Sequence, residues 1–123
     1  MTTAKKILLV EDEALLAGIL EERLSQAGYT VIRAVDGEEG LRQVEEQEPQ
    51  LVVTDILLPV LDGVAMIKQM REKEALKETP IIILTNLETV DGIERVIQEP
   101  RDMVLKKTYL TLEHILTTIQ EKL

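Results

Sequence analysis

The chain has 123 residues, 45% hydrophobic and 30% charged, the composition of a globular domain and not of a disordered segment. Its net charge of -9 repels phosphate backbones and so disfavours direct nucleic-acid binding. No cysteine occurs, which removes disulfides, thiolate zinc sites and a cysteine nucleophile; an aromatic content of 2% leaves no stacking platform for bases or sugars.

Short apolar runs alternate with helical patterns along the chain. Residues 7–10 read as a strand, and 13–27 carry Leu16, Leu20, Leu24 and Ala27 at helical spacing before Gly28 stops them. Residues 30–34 predict a second strand, Asp36-Gly37 a turn, and 38–47 a helix with Leu41 and Val44. Residues 51–55 form the third strand; Pro59, Asp62 and Gly63 then turn the chain into a helix with Val64, Ile67 and Met70. Residues 80–85 are β-branched and apolar on both faces, as in a parallel sheet covered by helices on each side. A weaker helix with Ile93, Val96 and Ile97 is expected next, then a strand over 103–106 and a last helix with Leu112, Ile115, Leu116, Ile119 and Leu123.

Five βα units imply a doubly wound α/β fold with a five-stranded parallel sheet, because right-handed crossovers need helices to span them. With no linker, low-complexity tract or tail, residues 1–123 are expected to form a single domain with no room for an output or second catalytic domain. No apolar run approaches a membrane span, and the N-terminus lacks the pattern of a signal peptide, so a cytoplasmic protein is expected.

In such a sheet, ligands bind beyond the carboxyl ends of the strands. The first strand ends on Glu11-Asp12-Glu13, the third on Asp55, the fourth on Thr85 and the fifth on Lys106. Carboxylates crowded at one edge repel each other, and a hard divalent cation such as Mg²⁺ with oxygen ligands offsets that charge. Asp55 would serve as ligand or as nucleophile, the latter giving an acyl phosphate. Thr85 offers a hydroxyl to a phosphoryl oxygen, and Lys106 a mobile point charge. Lys106 is preferred to Lys107 because the latter would bury a charge before the sheet edge. Glu13 is read as part of a helix start, where the dipole favours acids. His114 falls on the polar side of the last helix and reads as a surface residue. No glycine-rich nucleotide loop and no Ser-His-Asp set is present.

Together, Leu8-Leu9-Val10-Glu11-Asp12-Glu13, Asp55-Ile56-Leu57-Leu58-Pro59-Val60-Leu61-Asp62-Gly63, Leu84-Thr85 and Val104-Leu105-Lys106 resemble the response-regulator receiver (CheY-like) domain of two-component signalling. The resemblance covers essentially the whole chain and implies a stand-alone receiver with the flavodoxin-like sheet order 2-1-3-4-5. It implies that Asp55 is the phosphoacceptor, taking a phosphoryl group from a histidine kinase or histidine phosphotransfer protein. Glu11, Asp12, Asp55 and the backbone carbonyl of Leu57 would hold Mg²⁺, Thr85 would bind the phosphoryl group, and Lys106 would pair with it. The expected activity goes no further than self-catalysed phosphotransfer and autodephosphorylation. The surface expected to change, and to pair in a homodimer, is the fourth helix, fifth strand and fifth helix.

The chain departs from the family pattern at three places: Asn86 follows the hydroxyl, Met103 stands three before the lysine, and Lys107 replaces the following proline. Two other readings compete. A pseudo-receiver would bind partners without taking phosphate. A small aspartyl-phosphate phosphatase would need an Asp-x-Asp, which neither Asp55 nor Asp12 provides.

Overall fold

The computed structural model describes residues 4–123. Its five parallel strands are β1 (Lys6–Val10), β2 (Thr30–Ala34), β3 (Leu51–Thr54), β4 (Ile81–Thr85) and β5 (Met103–Lys106), in the order β2-β1-β3-β4-β5. Four α-helices connect or flank them: α1 (Ala14–Gln26), α2 (Gly37–Gln47), α3 (Gly63–Arg71) and α4 (Leu112–Glu121). This is the doubly wound, flavodoxin-like architecture expected from the alternation of apolar runs and helical patterns.

Period-two side-chain alternation sorts the strand residues into two cores. Leu8, Val10, Val52, Ile81 and Ile83 pack with Val44 of α2 and with Met66, Ile67 and Met70 of α3. Ile7, Leu9, Leu51, Val53, Ile82 and Leu84 face the other way, onto Ala17, Leu20 and Leu24 of α1 and Ile115, Leu116 and Ile119 of α4. Each fully buried aliphatic side chain contributes roughly 1.5–3 kcal/mol. Aliphatic residues alone therefore suffice for a core in a chain so poor in aromatics.

Two of the helix starts are set by carboxylates. Asp36 caps α2 by accepting from Glu39 N at 2.7 Å, and Asp62 caps α3 by accepting from Ala65 N at 2.9 Å. Both Asp-Gly pairs are thus helix N-termini more than simple turns. Gly28, at φ 99, lies just past the end of α1, the left-handed position that glycine fills most easily.

One expected element is missing. Between β4 and β5 there is no α-helix, only a 3-10 turn at Ile93–Arg95. Val90, Ile93, Val96 and Ile97 are β-branched and hold helix poorly, Gly92 sits at φ 78, and Pro100 closes the stretch. The helical spacing still has a meaning: Val90, Ile93, Val96 and Ile97 all pack onto the α2–α3 side of the core. The spacing reported burial, not helix. The helix expected as the fifth is therefore α4, and a face built on a fourth helix before β5 does not exist as such.

Candidate phosphoacceptor site

Register aligns the strand ends. Val10 pairs with Thr54, Thr54 with Ile83, and Thr85 with Lys106. Glu11 and Asp55 each stand one residue beyond a paired position, and Asp55 N donates to Val10 O at 3.1 Å. Two carboxylates far apart in sequence thus leave adjacent strands side by side.

Carboxylate oxygens of Glu11, Asp12 and Asp55 all lie within 4.8 Å of one another. Glu11 and Asp55 are buried, whereas Asp12 is exposed. The set offers only oxygen donors, with two sheltered and one open to water. That suits Mg²⁺, which takes one or two carboxylates and keeps several of its waters. Burial pushes the Glu11 carboxyl above the usual range, and hydrogen bonds from Lys107 and the Glu13 amide offset this only in part. A cation beside it would reverse that balance.

Asp55 is oriented by its own loop. Its Oδ1 accepts from Ile56 N at 2.6 Å and from Leu57 N at 3.4 Å, and its Oδ2 accepts from Lys107 Nζ at 2.7 Å. Gly63 makes this loop feasible, because a Cβ there would come within 2.3 Å of the Asp55 carbonyl oxygen. Thr85 is fully buried at the end of β4, and its Oγ1 accepts from Leu87 N at 3.2 Å.

The lysine of the site is Lys107, and the expectation for Lys106 is corrected. Lys106 is the last residue of the β5 ladder, opposite Thr85. The chain then enters a 3-10 turn at Lys107–Tyr109, which aims the next side chain into the crevice. Lys107 Nζ lies 2.7 Å from Glu11 Oε1, 2.7 Å from Asp55 Oδ2 and 3.0 Å from Glu13 Oε2. Burial opposes its charge, but hydrogen bonds to Asp55, Glu11 and Glu13 outweigh that and raise its pKa above the ordinary lysine value. The objection to a buried charge at position 107 fails because three carboxylates surround it. With Lys107 in this place, the residue three before the lysine is Val104 and the residue after it is Thr108.

Glu13, expected only as part of a helix start, also takes part in the site. It is the N-cap residue of α1, at the helix start as expected, yet its side chain reaches Lys107. His114 is exposed in the first turn of α4, consistent with a surface role. Among the described residues, no helix is long and apolar enough to cross a membrane.

An open parallel sheet with three acids and a lysine at its carboxyl edge defines a class of signalling domain, and the sequence comparison names it. The chain belongs to the response regulator receiver domain family, whose model matches residues 7–120. It is a receiver domain of two-component signalling. It is 44% identical over 81 residues to the alkaline phosphatase synthesis transcriptional regulatory protein PhoP of Bacillus subtilis, covering 66% of this chain and 33% of that protein. The chain thus spans about a third of the length of the curated relatives it matches.

Among solved structures, the chemotaxis response regulator CheY4 of Vibrio cholerae is similar with a TM-score of 0.85 and 28% identity, covering 98% of this chain and 100% of that one. The receiver domain of a sensor histidine kinase from Pseudomonas aeruginosa gives a TM-score of 0.81 at 28% identity, over 97% of each chain. That structure has a magnesium ion coordinated in its active-site cleft.

Proposed function

We propose that Asp55 is the phosphoacceptor of this receiver and takes its phosphoryl group from a histidine kinase or a histidine phosphotransfer protein. The observation that carries this reading is the Asp55 carboxylate, buried at a strand end, held by Lys107 and grouped with Glu11 and Asp12. Glu11, Asp12, Asp55 and the Leu57 carbonyl would hold Mg²⁺, which when bound supplies charge neutralisation for the incoming phosphoryl oxygens.

The residues of the chain do the rest. The Ile56 and Leu57 amides fix Asp55 Oδ1. In transfer, a carboxylate oxygen forms a bond to phosphorus while the bond from phosphorus to the donor nitrogen breaks. The donor imidazole keeps the electron pair, giving an acyl phosphate. Lys107 then meets a phosphoryl group with nearly two negative charges in place of a single carboxylate. The Thr85 hydroxyl, already an acceptor from Leu87 N, has its own proton free to donate to a phosphoryl oxygen.

Drawing Thr85 inward would strain its bond to Leu87 and shift the irregular segment between β4 and β5. Differential contact of this kind biases a two-state element. The surface that changes would be this segment with β5 and α4, the face we also assign to pairing in any homodimer. We read the activity as limited to phosphotransfer and autodephosphorylation, within a single receiver unit. The test is intact-mass analysis after treatment with a small acyl phosphate. One phosphoryl increment in Mg²⁺, and none in EDTA, is the expected result; equal labelling in both would remove the cation from the reading.

A further inference from the structure

Glu13 makes a contact that the metal cluster does not use. The Lys107 ammonium has three donors, and Glu11, Asp55 and Glu13 engage all of them. Glu11 and Asp55 belong to the group of carboxylates that converges, and Glu13 does not. The Glu13 side chain is 61% exposed, against 2% for Glu11. Beside it opens a cleft of about 290 Å³, lined among others by Glu13, Leu16, Asn86, Lys107 and Thr108. The ammonium therefore has a charged acceptor and open space at a carboxylate outside the cluster.

Resting on the metal assignment above, we propose that Glu13 is a positioning residue that holds the Lys107 ammonium when a divalent cation takes over Glu11 and Asp55. A dication and an ammonium leaning on the same two carboxylates repel each other at close range. With Glu13 present, Lys107 gives up Glu11 and keeps a charged partner. Without it, the ammonium stays confined to Glu11 and Asp55 and competes with the ion.

The test is titration of the full chain with Mg²⁺ by calorimetry, for wild type, Glu13→Gln, Lys107→Met and the double variant. Glu13→Gln is expected to bind Mg²⁺ roughly two- to five-fold more weakly, the size an exposed ion pair supports. In the Lys107→Met background the same change is expected to leave affinity unaltered, because the cycle isolates the coupling. If Lys107→Met does not fold, Lys107→Gln takes its place. An equal loss in both backgrounds means that Glu13 acts only through its own field, and overturns the proposal. So does an unchanged affinity in Glu13→Gln. A wild-type protein that binds no Mg²⁺ removes the metal assignment itself and this proposal with it.

Discussion

Lys107 shows how one side chain ties the site together. Its side chain is 9% exposed, and its ammonium holds the Glu11 and Asp55 side chains, themselves 2% and 11% exposed, at contact distance. Removing it leaves two sheltered carboxylates facing each other without a cation. Lys107→Met is expected to lower stability in EDTA by about 3 kcal/mol, and saturating Mg²⁺ is expected to recover part of the loss. Lys106→Met, at the end of the ladder, is expected to change stability by less than about 0.5 kcal/mol. Urea unfolding of the two variants decides between the lysines; a larger loss for Lys106 would reverse the assignment. Lys107 is not legible from the sequence, because a charge buried at that position looks costly until its three carboxylate partners are in place. Nothing local in Leu105-Lys106-Lys107-Thr108 announces a turn that swings the second lysine inward. The acids, by contrast, were legible, since each ends an apolar run.

At the scale of elements, the stretch between β4 and β5 is held at its far end by Asp102. This fully buried carboxylate accepts from Arg71 Nη2 at 3.0 and 3.1 Å, Arg101 Nη2 at 2.9 Å, Ile81 N at 3.0 Å and Gln98 N at 2.8 Å. Arg71, the last residue of α3, also donates to the carbonyls of Leu76, Lys77 and Thr79. One ion pair thus joins α3, the start of β4 and a segment with no helix of its own. Asp102→Ala would strand Arg71 and is expected to cost about 3–5 kcal/mol.

Burial pushes the Asp102 carboxyl up, but the Arg101, Gln98, Arg71 and Ile81 contacts outweigh it and leave its pKa below the ordinary 3.8. A depressed folded pKa means that its contribution is complete above the ordinary value and is lost as pH falls through the depressed one. The stability gap between wild type and Asp102→Asn, followed by urea unfolding, should therefore be constant near neutrality and shrink below about pH 4. A gap that widens on acidification would contradict the clamp. The sequence conceals this network because Arg71 and Asp102 are 31 residues apart and no local pattern pairs them. It misled on the helix because Ile93, Val96 and Ile97 keep helical spacing while packing from an irregular chain.

At the scale of the molecule, the fold was legible because its signals are redundant. Three apolar runs that end on acids or a hydroxyl, a fourth that ends on lysine, Gly28 past α1 and the Asp-Gly helix starts agree on one alternation. Sheet order follows from that alternation and crossover handedness together with the family resemblance, and the structure bears it out.

The central claim is that the parallel strands deliver Asp55, and no other acid, as the nucleophile. It is tested most directly by borohydride trapping of the acyl phosphate followed by peptide mapping. After reaction with a small phosphodonor in Mg²⁺, reduction at position 55 alone is expected, and none in Asp55→Asn. Reduction at Asp12 or Glu11, or trapping that survives Asp55→Asn, would contradict it.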